Sequence, residues 1–370
     1  MANTFFPEVK GKLGFGCMRL PLAGTVLGDG EFKRMTDAFM KAGFNYFDTA
    51  HGYLVGQSEK ALRRCLTSRY PRESFVLTNK LTEDYFRKEE DIRPFFENQL
   101  RWCGVEYFDF YLMHAQGSVN FEKFRRCRAY ETAFRLKEEG LVRHVGISFH
   151  DTPEYLDKIL TEYPQIECVQ IQLNYLDYDS PAIQSRRVYE VCVKHNKPVM
   201  VMEPVKGGTL ANLPAEAMAL LDPDKSPASY AIRFAAGFDN VFMVLSGMSN
   251  LHQMEDNAGF MRSFEPLSPE EREVLDKIIG IYRGMDMIPC TACRYCVEGC
   301  PKNILIPDIF ACYNQKKIHR SWNQNMYYRN VITLNNGKAS DCILCGKCEH
   351  SCPQHLKIRD LLKDAAREFE

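Results

Sequence analysis

The feature that most restricts the fold is a rhythm. From Leu13 to Leu245, short runs rich in β-branched and aromatic residues alternate with amphipathic stretches. The strand-like runs are Leu13–Cys17, Tyr46–Thr49, Phe75–Asn79, Phe108–Met113, His144–Ser148, Cys168–Gln172, Val199–Glu203 and Val241–Leu245. Between them, Glu31–Ala42, Glu59–Cys65, Ile92–Cys103, Ala129–Glu138, Glu154–Glu162, Ile183–His195 and Ala228–Ala236 carry apolar residues at helical spacing. Strands separated by helices pair in parallel through crossovers. Eight such units predict an α/β fold closed as a (β/α)8 TIM barrel, which takes roughly 250 residues. An open doubly wound sheet is the alternative. Gly14-Phe15-Gly16 offers it two glycines, but Arg19 stands where a dinucleotide fingerprint needs its third.

The chain has 370 residues, more than a barrel requires, so a small second domain is expected. The reading divides it into a barrel over 1–265, a helix and linker over 266–289, and a cysteine-rich domain over 290–370. Pro269, Glu270 and Glu271 open the helix Ser268–Tyr282, and Gly284 ends it. A formal net charge of −1 gives no electrostatic reason to expect nucleic acid or an acidic membrane surface as a partner. No stretch of about 20 apolar residues is present, so no membrane span is expected. Met1–Lys10 lacks the pattern of a secretory signal, and the expected compartment is the cytoplasm.

Fifteen cysteines are many for such a chain. Without a signal peptide, metal or redox chemistry is a better explanation than disulfides. Cys17, Cys65, Cys103, Cys127, Cys168 and Cys192 are scattered, and Cys312 stands alone. The rest form two identical arrays, Cys290-x2-Cys293-x2-Cys296-x3-Cys300-Pro301 and Cys342-x2-Cys345-x2-Cys348-x3-Cys352-Pro353. A cubane iron–sulfur cluster offers four iron corners, each taking a thiolate. Two-residue gaps let three sulfurs of one loop reach three corners, and in two-cluster ferredoxins the fourth cysteine ligates the other cluster. Cys290, Cys293, Cys296 and Cys352 are therefore expected on one [4Fe–4S] cluster, and Cys342, Cys345, Cys348 and Cys300 on the other. Two structural zinc sites are the competing explanation. The module resembles bacterial-type dicluster ferredoxins, with a longer spacer. Ile309–Lys317 and Trp322–Asn330 within it read as helices, which makes a small helical domain the expectation. Cys312 reads as a buried side chain rather than a spare ligand.

Polar residues gather where the barrel strands end: Asp48-Thr49-Ala50-His51-Gly52-Tyr53, Thr78-Asn79-Lys80, Tyr111-Leu112-Met113-His114 and Gly146-Ile147-Ser148. Catalytic groups of TIM barrels sit at these C-terminal strand ends. Carbonyl reduction needs a hydride donor and a proton donor. A tyrosine can give the proton, and a nearby lysine is expected to lower its pKa from about 10. An aspartate keeps the lysine charged, and a histidine orients the carbonyl. Tyr53, Lys80, Asp48 and His114 supply that set. Singly, each also suits a core or ion-pair role.

Together with the opening Leu13-Gly-Phe-Gly-Cys-Met-Arg-Leu-Pro21, Asp48-Thr-Ala-x-x-Tyr53 and the two following strand ends resemble the aldo-keto reductases. The resemblance covers about residues 10–262. It implies an NAD(P)H-dependent enzyme acting on a small carbonyl or alcohol, with Tyr53 as general acid. It further implies that Ser148 and Gln170 hold the nicotinamide carboxamide, with Phe149 and His150 where the family has an amide residue, and that Met202 stands in for a stacking aromatic. Lys206, Gly207, Ser246, Gly247 and Met248 would meet the phosphates, and Gln253, Asp256 and Asn257 the adenine side. Gly247 and Gln253 replace basic residues that many members use for a 2′-phosphate, which leaves NAD open beside NADP. Arg19, His51 and Tyr175 are further pocket candidates.

Nicotinamide passes two electrons as a hydride and a cluster passes one, and a flavin is the usual adaptor between them. Three readings follow. The clusters relay electrons between an external redox protein and the barrel, with or without a flavin. Alternatively the barrel is a nicotinamide enzyme and the clusters are structural or oxygen-sensing. In the third, the chain is a redox-responsive regulatory protein on a barrel scaffold. The second is favoured for the barrel reaction, and electron transfer for the module.

Overall fold

A computed structural model describes residues 4–23, 26–179, 183–284, 287–319, 324–325 and 328–370. The chain forms two compact units. One comprises residues up to Pro204 together with Asp224–Pro269, the other Val205–Pro223 together with Glu270–Glu370.

In the first unit, eight parallel strands close into a barrel: β1 Leu13–Gly16, β2 Tyr46–Asp48, β3 Val76–Leu81, β4 Phe108–Gln116, β5 Val142–Phe149, β6 Cys168–Gln172, β7 Val199–Met202 and β8 Val241–Ser246. Each pairs with its sequence neighbours, and β1 closes the ring against β8 through Phe15 and Ser246. All eight expected strands are present, so the open-sheet alternative falls. The helices follow the expected amphipathic stretches, among them Asp29–Lys41, Glu89–Cys103 and Ser185–Lys194. Thr152 and Ser226 cap two of them, each accepting a hydrogen bond from a backbone N–H three residues on.

The end of the barrel opposite the polar strand ends is plugged. Phe6 packs edge-on against Phe110, His144 and Phe242, within 4.9 Å of each ring. Burying such a ring is worth roughly 2 kcal/mol. Above it, Tyr46, Leu112, Cys168 and Met200 continue the same buried cluster. Gly146 is required there: a Cβ would lie 2.6 Å from Cys168 Sγ and 2.7 Å from the Cys168 carbonyl. The barrel interior at this end is thus filled by apolar side chains.

The second unit is built on an internal repeat. Cys290 and Cys342 begin the two halves, and the halves share their backbone path. Ala292 and Leu344 are left-handed, as are Arg294 and Gly346, then Asn303 and His355. Short helices Tyr295–Glu298 and Lys347–His350 follow at equivalent positions, then the longer Ile306–His319 and Ile358–Phe369. The left-handed residues turn each array tightly on itself, which brings its cysteines to one side. A single parallel bridge, Ile304 to Gly337, is the only extended pairing among the described residues of the unit. The module is therefore helical, as expected. The spacer helix at Ile309–Lys317 lies within Ile306–His319; of Trp322–Asn330, residues 322–323 and 326–327 lie outside the described residues, Gln324 and Asn325 are helical, and residues 328–330 begin the helical segment Tyr328–Ile332. The helix Pro269–Arg283 and the segment Val205–Pro223, which follows β7 in the chain, pack with this unit, so the division by contacts runs differently from the boundaries read at 265 and 290. Among the described residues no helix is long and apolar enough to cross a membrane.

Candidate active site

The ends of β2, β3 and β4 deliver Asp48, Lys80 and His114, and the turn after β2 delivers Tyr53. Register explains the arrangement. Asp48 pairs with Thr78, so Lys80 lies two residues further along β3 and on the same face. Its ammonium is fully buried and donates to Asp48 Oδ1 at 2.6 Å, to the Thr49 carbonyl at 2.8 Å and to Tyr53 Oη at 3.3 Å. The Tyr53 and His114 rings meet edge to face at 6.1 Å. His114 Nδ1 is hydrogen-bonded to Thr82 Oγ1 at 2.7 Å. The four residues singled out in the sequence thus share one polar cluster at the open end of the barrel.

Burial governs the electrostatics. It pulls the Lys80 ammonium down and pushes the Asp48 carboxyl up, each opposed by the charge of the other. His114 lies well below the usual imidazole range because it is buried, and Lys80 and His150 add to the effect, so the ring is neutral. Tyr53 corrects one expectation. Burial first, then the Asp48 charge, push the phenol well above its ordinary value, and Arg19 opposes them. The group remains a hydroxyl, and Lys80 is placed to stabilise the oxyanion once the proton leaves.

A profile of the aldo/keto reductase family matches residues 12–280. The chain belongs to the aldo/keto reductase family. It is an oxidoreductase of that NADP(H)-dependent type. A 4Fe-4S dicluster domain profile matches residues 289–357 of this aldo/keto reductase. It is 28% identical over 249 residues to an aldo-keto reductase of Mycolicibacterium vanbaalenii, covering 64% of this chain and 81% of that one. It is 24% identical over 302 residues to bovine dihydrodiol dehydrogenase 3, covering 71% and 86%. Among solved structures, the holo form of AKR11C1 from Bacillus halodurans superposes with a TM-score of 0.59 at 25% identity, covering 72% and 91% of the two chains. A Klebsiella pneumoniae aldo-keto reductase solved in complex with NADPH gives 0.60 at 20% identity, covering 72% and 90%.

Around the cluster of four, Ser148 and Gln170 are register partners on β5 and β6, both buried. Ser148 Oγ accepts from the Ala115 N–H at 2.7 Å, and Phe149 and His150 follow it directly. Met202 ends β7. At the end of β8, Asn257 donates to Ser246 Oγ at 2.9 Å, Met248 is buried, and Gln253 Oε1 accepts from the Ser249 N–H at 2.8 Å. Asp256 accepts from Ser226 Oγ at 2.6 Å. The Arg19 side chain lies 3.7 Å from where a Gly247 Cβ would stand, and pairs with Glu203 at 3.5 Å. Lys206 and Gly207 belong to the second unit. Gly207, at φ +65°, lies against Thr291: a Cβ there would fall 2.5 Å from the Thr291 carbonyl oxygen. Tyr175 is buried in aromatic packing against Phe234.

A second polar network passed unnoticed in the sequence. Lys80 faces the barrel interior, so its neighbour Asn79 faces the helices. There the fully buried Glu59 carboxylate accepts from Asn79 Nδ2 at 2.8 Å and from Gln99 Nε2 at 3.3 Å, and holds His51 Nδ1 at 2.6 Å. Gln99 also donates to the Lys80 carbonyl at 3.0 Å, and Asn79 Oδ1 accepts from the Lys80 N–H at 2.8 Å. Trp102 stacks on the His51 ring at 4.4 Å. The network thus holds the backbone of Lys80 and the start of the turn that carries Tyr53. The signal was present as the interval from Asp48 through Tyr53 to Glu59, with no reason in the sequence to extend the motif so far.

In the second unit the cysteines line two small cavities. Cys290, Cys293, Cys296 and Cys352 surround one, with Thr291, Phe310 and Leu356. Cys342, Cys345, Cys348 and Cys300 surround the other, with Lys302, Ile304 and Lys347. Ile306 lines both. Four cysteines around each cavity, within the segment that the 4Fe-4S dicluster profile matches, suit a cubane cluster, each of whose four irons takes one thiolate. Cys312 lines neither cavity. It is buried, and its thiol donates to the Gln324 carbonyl at 3.2 Å.

Proposed function

We propose that this aldo/keto reductase interconverts a small aldehyde or ketone and its alcohol with a nicotinamide cofactor, and that its C-terminal unit moves single electrons through two [4Fe–4S] clusters. The observation that carries the first part is the position of the Lys80 ammonium, hydrogen-bonded at once to Asp48 and to the Tyr53 hydroxyl. A dihydronicotinamide bound here would supply the hydride for the carbonyl carbon. Tyr53 gives its hydroxyl proton to the carbonyl oxygen, which completes the alcohol. Lys80 stabilises the phenolate left behind, and Asp48 keeps Lys80 charged. His114, neutral and held at Nδ1 by Thr82, orients the carbonyl by donating from Nε2.

Ser148 and Gln170 are assigned to the carboxamide and Met202 to the ring face. Ser246, Gly247 and Met248 are assigned to the phosphates, and Gln253, Asp256 and Asn257 to the adenine side. NADP(H) is favoured over NAD(H) by the NADPH complex of the Klebsiella relative and by Arg19, which brings a cation to Gly247. Cys290, Cys293, Cys296 and Cys352 are assigned to one cluster, and Cys342, Cys345, Cys348 and Cys300 to the other. The grouping of these cysteines around two separate cavities supports that division.

The test is a panel of aldehydes and ketones with NADPH and NADH, using protein purified without oxygen and characterised for iron and sulfide. Tyr53→Phe is expected to lose about 10²- to 10⁴-fold in kcat with unchanged iron content. Absence of turnover by the unmodified protein across the panel overturns the reading.

A further inference from the structure

The two halves of the second unit repeat one another, yet their cysteine loops face different surroundings. In the first, Thr291 is 1% exposed, and the backbone at Gly207 lies against its carbonyl. At the equivalent positions of the second, Ile343 is 56% and Leu344 49% exposed, and Cys345 is exposed between them and Gly346. Adjacent large apolar side chains rarely stand this far out of a folded surface without a use. Leu344 also adopts φ +58°, a conformation that costs an L-residue about 1 kcal/mol or more and that glycine would take freely. A leucine kept there presents its side chain outward.

Charge separates the halves again. Among the described residues, Lys302 and Lys347, both exposed, are the charged residues lining the Cys342–Cys345–Cys348–Cys300 cavity, whereas none lines the other. The nearest acid in sequence, Asp341, turns its carboxylate to the Lys338 N–H at 2.8 Å, and Glu349 is paired with Arg359. An apolar centre with a basic rim is the anatomy of a transient docking face for an acidic protein.

We propose that the Cys342–Cys345 loop is the docking face for an acidic one-electron carrier protein, with Ile343 and Leu344 at its centre and Lys302 and Lys347 at its rim. The inference rests on the reading of the second unit as an electron-transfer module. One electron leaves the reduced carrier, which is oxidised by one equivalent, and enters this chain at the site held by Cys342, Cys345, Cys348 and Cys300. No atom or proton moves. The first site, beneath Thr291, exchanges electrons with the second rather than with the carrier.

The experiment uses the full chain with both clusters and, as probes, an acidic plant-type [2Fe–2S] ferredoxin and a basic c-type cytochrome. Binding is measured by calorimetry with oxidised probes, and electron transfer from the reduced ferredoxin by stopped-flow absorbance. Lys302→Glu/Lys347→Glu is expected to slow association about tenfold or more near 0.01 M ionic strength and to lose that effect near 1 M, where the Debye length falls to about 3 Å. Ile343→Asp/Leu344→Asp is expected to weaken ferredoxin binding about tenfold at both ionic strengths. Val193→Asp, an exposed apolar residue of the barrel, serves as the surface control and is expected to change neither quantity. Unchanged binding and rates in both double variants, or equal binding of the cytochrome, overturn the proposal. Should the apolar variant lose iron, the lysine variant decides alone. Dithionite titration separates the two levels: clusters that take up no electrons refute the electron-transfer reading, while reducible clusters with variant-insensitive transfer refute only the docking face.

Discussion

Replacing His51 by Phe tests whether the network behind the active site is held by charge. The imidazole Nδ1 lies 2.6 Å from a carboxylate with no solvent exposure. Phe keeps the ring stacked on Trp102 but leaves a buried Glu59 oxygen without its hydrogen-bond partner. Stranding an oxygen of a buried carboxylate costs about 3 kcal/mol. Glu59→Gln removes the charge and keeps the shape. Its amide oxygen still accepts from Asn79, and its NH2 can donate to Nδ1 of a neutral imidazole, so the cost is about 1 kcal/mol or less. The double variant loses the pair without stranding a charge and should cost about 2 kcal/mol, less than the sum of the singles by roughly 2 kcal/mol. Urea unfolding followed by far-UV circular dichroism without oxygen measures all four proteins. Because Gln99 and Asn79 hold the Lys80 backbone, kcat should fall in His51→Phe and recover in part in the double variant. Additivity within about 0.5 kcal/mol would refute the argument.

Two further outcomes follow from the geometry. His114 is held well below the ordinary imidazole value of 6.5, so below that pH the unfolded chain binds a proton that the folded chain refuses. Stability is therefore flat with respect to this group above 6.5 and falls as pH drops beneath it, by up to about 1.4 kcal/mol per unit; His114→Asn should flatten that limb in urea titrations at successive pH values. Gly207→Ala should exceed Gly140→Ala in its effect: both sit at positive φ, +65° and +77°, but a Cβ at the first meets backbone, and among the described residues none of the chain beyond its neighbours lies within 4 Å of a Cβ at the second. About 1 kcal/mol of destabilisation is expected for Gly140→Ala. A larger loss, with lower iron per chain, is expected for Gly207→Ala, and equal losses with full iron would count against the close packing on Thr291.

What the sequence made legible divides along a physical line. The eight strands could be placed because each is buried on both faces and reads as a β-branched or aromatic run. The ends of those runs then fixed where Asp48, Lys80 and His114 would stand, since a parallel barrel brings all C-terminal strand ends to one rim. The two cysteine arrays were equally plain, because thiolate spacing is itself the geometry of the site. Partners that depend on packing between distant segments were not legible. Glu59 looked like the first residue of a surface helix, and nothing local says that Asn79, one residue from Lys80, turns outward to meet it. Gly207 looked like part of a phosphate turn. Its closest approach is to the Thr291 carbonyl, a contact between residues far apart in the chain that a glycine permits and no side chain announces. The same blindness hid the inequality of the two cysteine loops. Their spacing is identical, so the arrays read as equivalents; only the burial of Thr291 against the exposure of Ile343 and Leu344 tells which of the two is turned toward a partner.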